Sequence, residues 1–563
     1  MVSWPVRILP LFHRRPQSAM ADPGEDDFHD VQREPCLEPI RNAYRLTLNG
    51  IIMSSLLGID NGLTVTKAVI FDADGTQLSV ARRRVPQSMP HPRWVERDML
   101  GLWQATAEAI REAIALSGRP AGDIKAVAAT AHGDGLYLLD RNRRPLGPGI
   151  LSLDSRAGEI VDEWAKGSVF AEALALTGQV PHASAPSAIL GWLKKHAPER
   201  FSQIGHIVGC KDWLRFCLTG TVGTDLTEAS TSFTDVRTQV YAQEAMRIFG
   251  LEELFAALPG AAHSADIVGY ATAEAAALTG LAEGTPVACG LHDVTASALG
   301  IGGHEEGVVS IVAGTYSINE VVSAEPRTDQ RWFCRNAIDL GRWNNMSISP
   351  ASTANYDWFL DTLCRAEQDE AKKTGRSIHE MLATEIDTAL KKPSTLLFHP
   401  YLFGSPYGNA ASASFVGLRG WHDRGDMLKA VLEGIAFNHR THVEALRDGF
   451  AVREVRLTGG GSRNPAFAQM FADVLNVPVT VTSTDEAAAY GAALCAGAAV
   501  GLFASPQEGA RATCTVSREY RPDPARSAVF DERYSIYGRI AEQLRPKWAE
   551  IESLAAQAMG GTA

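Results

Sequence analysis

Two stretches of this chain, far apart in sequence, share one pattern. Each is a strand-length apolar run, then a turn with glycine and threonine, then a returning apolar run. The first is Ser55-Leu-Leu-Gly-Ile-Asp60, a turn over Asp60-Asn-Gly-Leu-Thr64, and Val65 to Phe71. The second is Val308 to Ala313, a turn at Gly314-Thr315, and Tyr316 to Val322. A hairpin buries little alone and needs a covering layer. The first is extended by a strand over Gln77 to Ala81, a helix over Met99 to Ser117 and strands at 124–130 and 136–139. The second is followed by a helix over 426–447, a strand over 453–458, a helix over Pro465 to Leu475, a strand over 478–482 and a helix over 486–501. Residues 365–392 read as a charged, helical surface excursion. This predicts an α/β protein with two similar lobes around a cleft, a Gly/Thr turn on each side of it.

The composition agrees. The chain has 563 residues, 45% apolar and 21% charged, enough for more than one core. A formal net charge of −12 argues against a broad binding face for nucleic acid or an anionic membrane. Eight cysteines without a CxxC pair argue against a disulfide scaffold or structural zinc, and for a reducing compartment, the cytoplasm. Ala487 to Ala504 carries no charge, but alanine and glycine dominate it. A helix packed tightly in a core fits better than a membrane span.

The first residues differ from the rest. Met1 to Met20 holds three arginines, no acid and three prolines, and no regular periodicity precedes Ser55. Residues 1–54 read as an unstructured or overcalled extension, with Met53, or Met20, as the expected start. The remaining units are 55–302, 303–545 and a C-terminal tail at 546–563.

Polar residues gather at strand ends and turns. Asp60 ends the first strand, where a carboxylate can hold Mg²⁺ through water. Gly62 permits close backbone approach to a phosphate, Thr64 and Thr66 offer hydroxyls, and Lys67 offers a cation. No Walker A spacing is present, and for this segment alone an ordinary hairpin turn is the better reading. Asp293, just past the strand Pro286 to Cys289, can serve as a general base or as the N-cap of the next helix. Gly459-Gly460-Gly461 lies between strand and helix, with Asn464 following. It suits close approach to a nucleotide but lacks the GxGxxG spacing. His132, Asp134, Trp94, Glu96, Asp154 and Arg156 cluster in segments that suit a polyhydroxyl ligand.

In their order, these segments resemble the FGGY carbohydrate kinases, over roughly residues 55–545. The likeness runs through Gly58-Ile-Asp60-Asn-Gly62, Trp94-Val-Glu-Arg-Asp98, Leu153-Asp-Ser-Arg156, Lys211-Asp-Trp-Leu214, Gly314-Thr315, Gly459 to Asn464 and Leu432-Glu-Gly-Ile-Ala436. Arg97 replaces the usual glutamine, and Leu153 a tryptophan. The resemblance implies an actin/hexokinase/Hsp70-like, ribonuclease H-like fold with ATP between the lobes. It implies ATP and Mg²⁺, with Asp60 on the metal. Gly62, Thr64, Thr66, Lys67, Gly314 and Thr315 would lie on phosphates, and Gly459 to Gly461 and Asn464 on adenosine. Asp293 falls on the catalytic base, beside His292 and Val294 where the family carries glycine and glutamine. The expected substrate is a small sugar or polyol, contacted by Trp94, Glu96, His132, Asp134, Asp154, Arg156 and His292. The nearest look is of L-xylulose kinases, with erythritol kinases next. A sensor that binds sugar and ATP without catalysis stays open, as does a homodimer.

Overall fold

The computed structural model describes residues 54–408 and 410–558. The expected extension at 1–54 therefore lies almost wholly outside the described residues. The first hairpin is β1 (Ser55–Asn61) and β2 (Val65–Asp72), extended by β3 (Gln77–Arg84). Helix α1 (Met99–Ser117) follows, started by Asp98, whose carboxylate accepts from the amides of Leu100 and Gly101. It leads to β4 (Ile124–Ala131), which pairs parallel with β1. After α2 (Cys210–Thr219) come β5 (Ile267–Tyr270), β6 (Pro286–Ala288), the short β7 (Leu291–His292) and α3 (Asp293–Gly300). The sheet runs β5-β6-β4-β1-β2-β3, with β7 against the end of β4.

The second lobe repeats this plan. Strands β8 (Val308–Ala313) and β9 (Ser317–Ser323) form the hairpin, and β10 (Phe333–Asn336) and β11 (Trp343–Ser349) form another. Helix α4 (Arg424–Arg447), β12 (Glu454–Thr458), α5 (Pro465–Leu475), β13 (Val479–Thr482), α6 (Ala487–Ala499), β14 (Val516–Tyr520) and α7 (Pro524–Ala558) complete it. Its order is β10-β11-β9-β8-β12-β13-β14. In both lobes the opening strand pairs antiparallel with its hairpin partner and parallel with the strand after a helical crossover.

β1 is buried on both faces, as a central strand with parallel pairing must be. Leu57 and Ile59 join a core with α1 and α2, while Leu56 joins one built from α3 and α6. Helix α6 is the uncharged Ala/Gly stretch. It comes from the second half of the chain, yet it covers the first sheet. A Cβ at Gly58 would stand 1.9 Å from the Ala489 carbonyl oxygen, and one at Gly491 would stand 1.9 Å from that of Ala296. Small residues here let three backbones meet. No helix among the described residues is long and apolar enough to cross a membrane.

Three expectations change. Arg365–Thr374 buries nothing, but Ile378–Leu390 buries Leu382, Ile386 and Ala389 against the α4 core, so 365–392 is only half a surface excursion. The tail expected from 546 instead continues α7, and Trp548 is 3% exposed within the core of lobe two. Strands β10 and β11 have no counterpart among the elements read from sequence.

Candidate active site

The end of β1 carries the first cluster. Asp60 and Lys67 face each other across the β1–β2 ladder, with Lys67 Nζ 3.3 Å from Asp60 Oδ2. Lys67 also donates to Glu486, from the loop before α6, at 2.8 Å. Burial pushes the Asp60 carboxyl up, against the pull of Lys67. The Gly62 amide closes the hairpin onto the Val65 carbonyl, and Thr64 is exposed at the tip. Thr66 points the other way. It is fully buried, with its hydroxyl 3.2 Å from that of Thr106 on α1, so it is a core residue and not a phosphate contact. Arg97, almost fully buried, donates to Asn61 Oδ1 at 3.2 Å and to the carbonyls of Gly62 and Leu63. The residue that departs from the family's usual glutamine thus braces this turn.

One backbone contact joins β1 to the wall beside it. The His132 amide donates to the Asn61 carbonyl at 2.9 Å, at the end of β4. Gly133 follows, and a Cβ there would stand 1.7 Å from His292 Nε2. Only glycine lets the His292 ring lie there. Burial holds His132 at about 3 and His292 at about 4, so both are neutral at working pH. His132 Nδ1 and His182 Nε2 are buried without a hydrogen-bond partner, and a substrate hydroxyl would supply one.

Asp293 stands at the first position of α3. His292, not Asp293, is the N-cap residue, while Asp293 Oδ1 accepts from the Val294 amide at 2.8 Å. The Asp293 side chain keeps 31% exposure beside a nearly buried His292. Burial first, then the charges of Asp60 and Asp134, raises its carboxyl to about 7. A carboxyl poised near neutral pH at a cleft is suited to exchanging a proton with a hydroxyl. Its position rests on a buried ionic cluster. Lys211 Nζ lies 2.5 Å from Asp212 and 3.0 Å from Asp225, and Asp225 holds the Thr227 hydroxyl at 2.7 Å. That hydroxyl accepts from the His292 amide at 2.9 Å.

A second wall is built around Trp94. Arg156 stacks 4.1 Å from the Trp94 ring centroid, bonds Glu96 at 2.8 Å and chelates Asp154. Asp154 also accepts from the Val95 amide at 2.7 Å. Asp154 and Arg156 are sealed, at 0% and 1% side-chain exposure, because each satisfies the other's charge. They hold Trp94 and Glu96 in place and do not reach the cleft themselves, contrary to the expectation of direct contact.

In lobe two the Gly314–Thr315 turn leads out of β8, with Thr315 exposed and the Gly314 carbonyl held by the Thr353 amide at 2.9 Å. Gly459 adopts φ 90°, and a Cβ there would meet the Ala313 carbonyl at 2.6 Å. The glycine turn therefore packs directly on the end of β8, beside the Gly314–Thr315 turn. Gly460 is open, while Gly461 is buried against Phe467. Asn464 caps α5, its Oδ1 accepting from the amides of Ala466 and Phe467, so that oxygen is not available to adenosine. No group of three or more metal-ligating side chains occurs among the described residues.

Sequence reading missed the hairpin β10–β11, which carries Arg335 into the wall around Asp134. It lacks a glycine motif like those of the other two hairpins, and β10 has only four residues. The cue that could have pointed to it is a charged residue in an apolar run, Trp332-Phe-Cys-Arg-Asn336.

Comparison with known proteins agrees with this geometry. Residues 55–300 match the FGGY family of carbohydrate kinases, N-terminal domain, and residues 309–500 its C-terminal domain. The L-xylulose/3-keto-L-gulonate kinase of Escherichia coli (strain K12) is 33% identical over 500 residues, covering 88% of this chain and 98% of that protein. The erythritol kinase of Brucella abortus (strain 2308) is 29% identical over 514 residues, covering 88% and 98%. A solved xylulose kinase from Rhodospirillum rubrum superposes with a TM-score of 0.78 at 29% identity, over 88% of this chain and 100% of that one. A likeness that spans both lobes and the cleft between them leaves one assignment: this chain belongs to the FGGY family of carbohydrate kinases, with the two-lobed actin/hexokinase-like fold.

Proposed function

We propose that the chain transfers the γ-phosphoryl group of ATP to a hydroxyl of a small sugar, a ketopentose of the L-xylulose class, with Asp293 as general base. The observation that carries this is the Asp293 carboxyl itself. It is exposed to the cleft, raised to about 7, and close enough to Asp60 at the phosphate turn to feel its charge. It joins the acceptor wall of His132, Asp134 and His292 to the turn that would hold phosphate.

The acceptor lies against Trp94, Glu96, His132 and Asp134. Asp293 orients one hydroxyl and takes its proton as the oxygen bonds to the γ-phosphorus. The bond from that phosphorus to the bridging oxygen breaks, and ADP leaves with the electron pair. The turns at Gly62–Thr64 and Gly314–Thr315 hold the phosphates, and Gly459 to Gly461 pack on adenosine. Asp60 is a single carboxylate with Lys67 beside it. A magnesium ion bound with ATP would be met there by the Asp60 carboxylate alone. Bound there, the ion neutralises charge on the phosphates. The seven cysteines among the described residues are free thiols, which suits a reducing cytoplasm.

Two relatives, an L-xylulose/3-keto-L-gulonate kinase and a probable L-xylulose kinase, support the ketopentose over a short polyol. The test is a coupled ADP-release assay with Mg-ATP over ketopentoses, pentitols, tetritols and glycerol, beside Asp293→Ala. Turnover of a ketopentose that vanishes in the variant is expected. Turnover of tetritols alone moves the assignment to a short polyol. ATP binding without turnover of any acceptor points to a sensor.

A further inference from the structure

Lobe two contributes one side chain to the acceptor wall of lobe one. Arg335 on β10 is 2% exposed, and its hydrogen-bonding partners all belong to lobe one. Nε donates to Gln179 Oε1 at 2.8 Å, Nη2 to Asp134 Oδ1 at 2.9 Å, and Nη1 lies 3.4 Å from His292 Nε2. The guanidinium also sits over the Phe333 ring, 4.9 Å from its centroid. Such a planar fork presents its donors to the three partners in one fixed geometry, where a flexible ammonium would hold them less rigidly.

The hairpin that carries Arg335 is anchored independently of it. The Cys334 amide donates to the Gly178 carbonyl at 2.9 Å, and the Asn336 amide to Ser230 Oγ at 3.1 Å. Asn336 Nδ2 reaches the carbonyls of Leu226 and Gln239, and Trp343 Nε1 that of Val236. Arg335 is thus a built-in part of the wall.

Asp134 gains most from it. Asp134 has φ 55°, a left-handed backbone unusual for a residue with a side chain. Its side chain is 18% exposed, and its other oxygen lies 3.7 Å from His182 Nε2. Burial alone would push this carboxyl up, and Arg335, with His182 and His292, brings it below its usual range.

We infer that Arg335 is a positioning residue for the acceptor: it holds Asp134 as an ionised, oriented acceptor of a substrate hydroxyl bond, and keeps the His292 ring on Gly133 beside Asp293. Its own side chain is too buried to meet substrate, so it acts through those two. This rests on the kinase reading proposed above.

The experiment is steady-state kinetics of Arg335→Gln, Arg335→Lys, Asp134→Asn and the double variant Arg335→Gln/Asp134→Asn, with the acceptor turned over by the wild type. Arg335→Gln is expected to raise KM for the acceptor at least tenfold and leave KM for ATP within twofold. Arg335→Lys is expected to recover part of that loss. The double variant should lose less than the two single losses combined, because both break the Arg335–Asp134 pair. Additive losses, or equal changes in both KM values, overturn the inference. If Arg335→Gln fails to fold, Arg335→Lys and Asp134→Asn carry the same KM comparison, and an unmoved acceptor KM in both overturns it. A wild type that turns over no acceptor overturns the kinase reading and this inference with it. A wild type that does, with unaltered Arg335 variants, overturns this inference alone.

Discussion

Asp293 is held where a carboxylate is uncomfortable. Its folded carboxyl is raised from 3.8 to about 7, so the native state disfavours its charged form. Two consequences follow at this scale. With Asp293 as the proposed general base, the reacting form is the charged one, so kcat/KM for the acceptor should fall as pH drops through about 7, read from a pH–rate profile. Stability runs the opposite way. The unfolded group ionises near 3.8 and the folded group near 7, so the penalty grows between those values and is full above pH 7. Asp293→Asn should therefore lose roughly 10²–10⁴ in kcat, the range for a removed general base. It should also melt higher than the wild type at pH 8, with the gain gone near pH 4. A variant that melts lower at pH 8 would show that the carboxylate stabilises the fold and is not the strained base.

Among the elements, α6 and α7 decide most. Helix α6 meets β1 and α3 through glycines, with no room for one more carbon. Gly491→Ala places a methyl against the Ala296 carbonyl, and a Cβ at Gly300 would stand 2.0 Å from the Ala487 carbonyl oxygen. Overpacking of this kind costs about 1–3 kcal/mol, and backbone contact places this site at the upper end. Denaturant unfolding of Gly491→Ala should show that loss, and an unchanged midpoint would mean the helix stands farther off. Helix α7 runs past 545 so that Trp548 can pack on Tyr401 and His399. Trp548→Ala should cost about 3–5 kcal/mol, as buried aromatic truncations do. Truncation after Arg545 should cost at least as much. A truncated chain as stable as the full one would restore 546–563 to the status of a tail.

For the whole molecule, the two lobes are joined in two ways. Helix α6 comes from the second half of the chain and lies on the first sheet, while β10 and β11 belong to the second sheet and dock on lobe one. Helix α3 bridges them, as Asn344 Nδ2 donates to Thr295 Oγ1 at 2.7 Å. Any closure of the cleft must therefore pivot on these contacts. Hydrogen exchange should find amides of 333–336 and 343–349 equally protected with and without nucleotide, while those around Gly62 and Gly314 gain protection when it binds. Strong nucleotide dependence in 333–336 would show that the hairpin undocks.

What the sequence determined by itself was the set of elements with strong local signals. β1, β2, α1, β4, β8 and α5 stand where periodicity and caps put them, since the burial of one face and the satisfaction of a helix end are read from neighbours in sequence. The family likeness was legible in the same way, from the order of short segments. The tertiary structure decided what depends on distant partners. It turned Thr66 into a core residue by placing α1 over it. It sealed Asp154 and Arg156 with each other's charge, and gave the cap of α3 to His292. It brought Arg335 from lobe two to Asp134, across 201 residues. A charge buried against a partner that far away leaves in its own segment only a charged residue among apolar ones, with no sign of its partner, because the partner, and not the segment, offsets its cost.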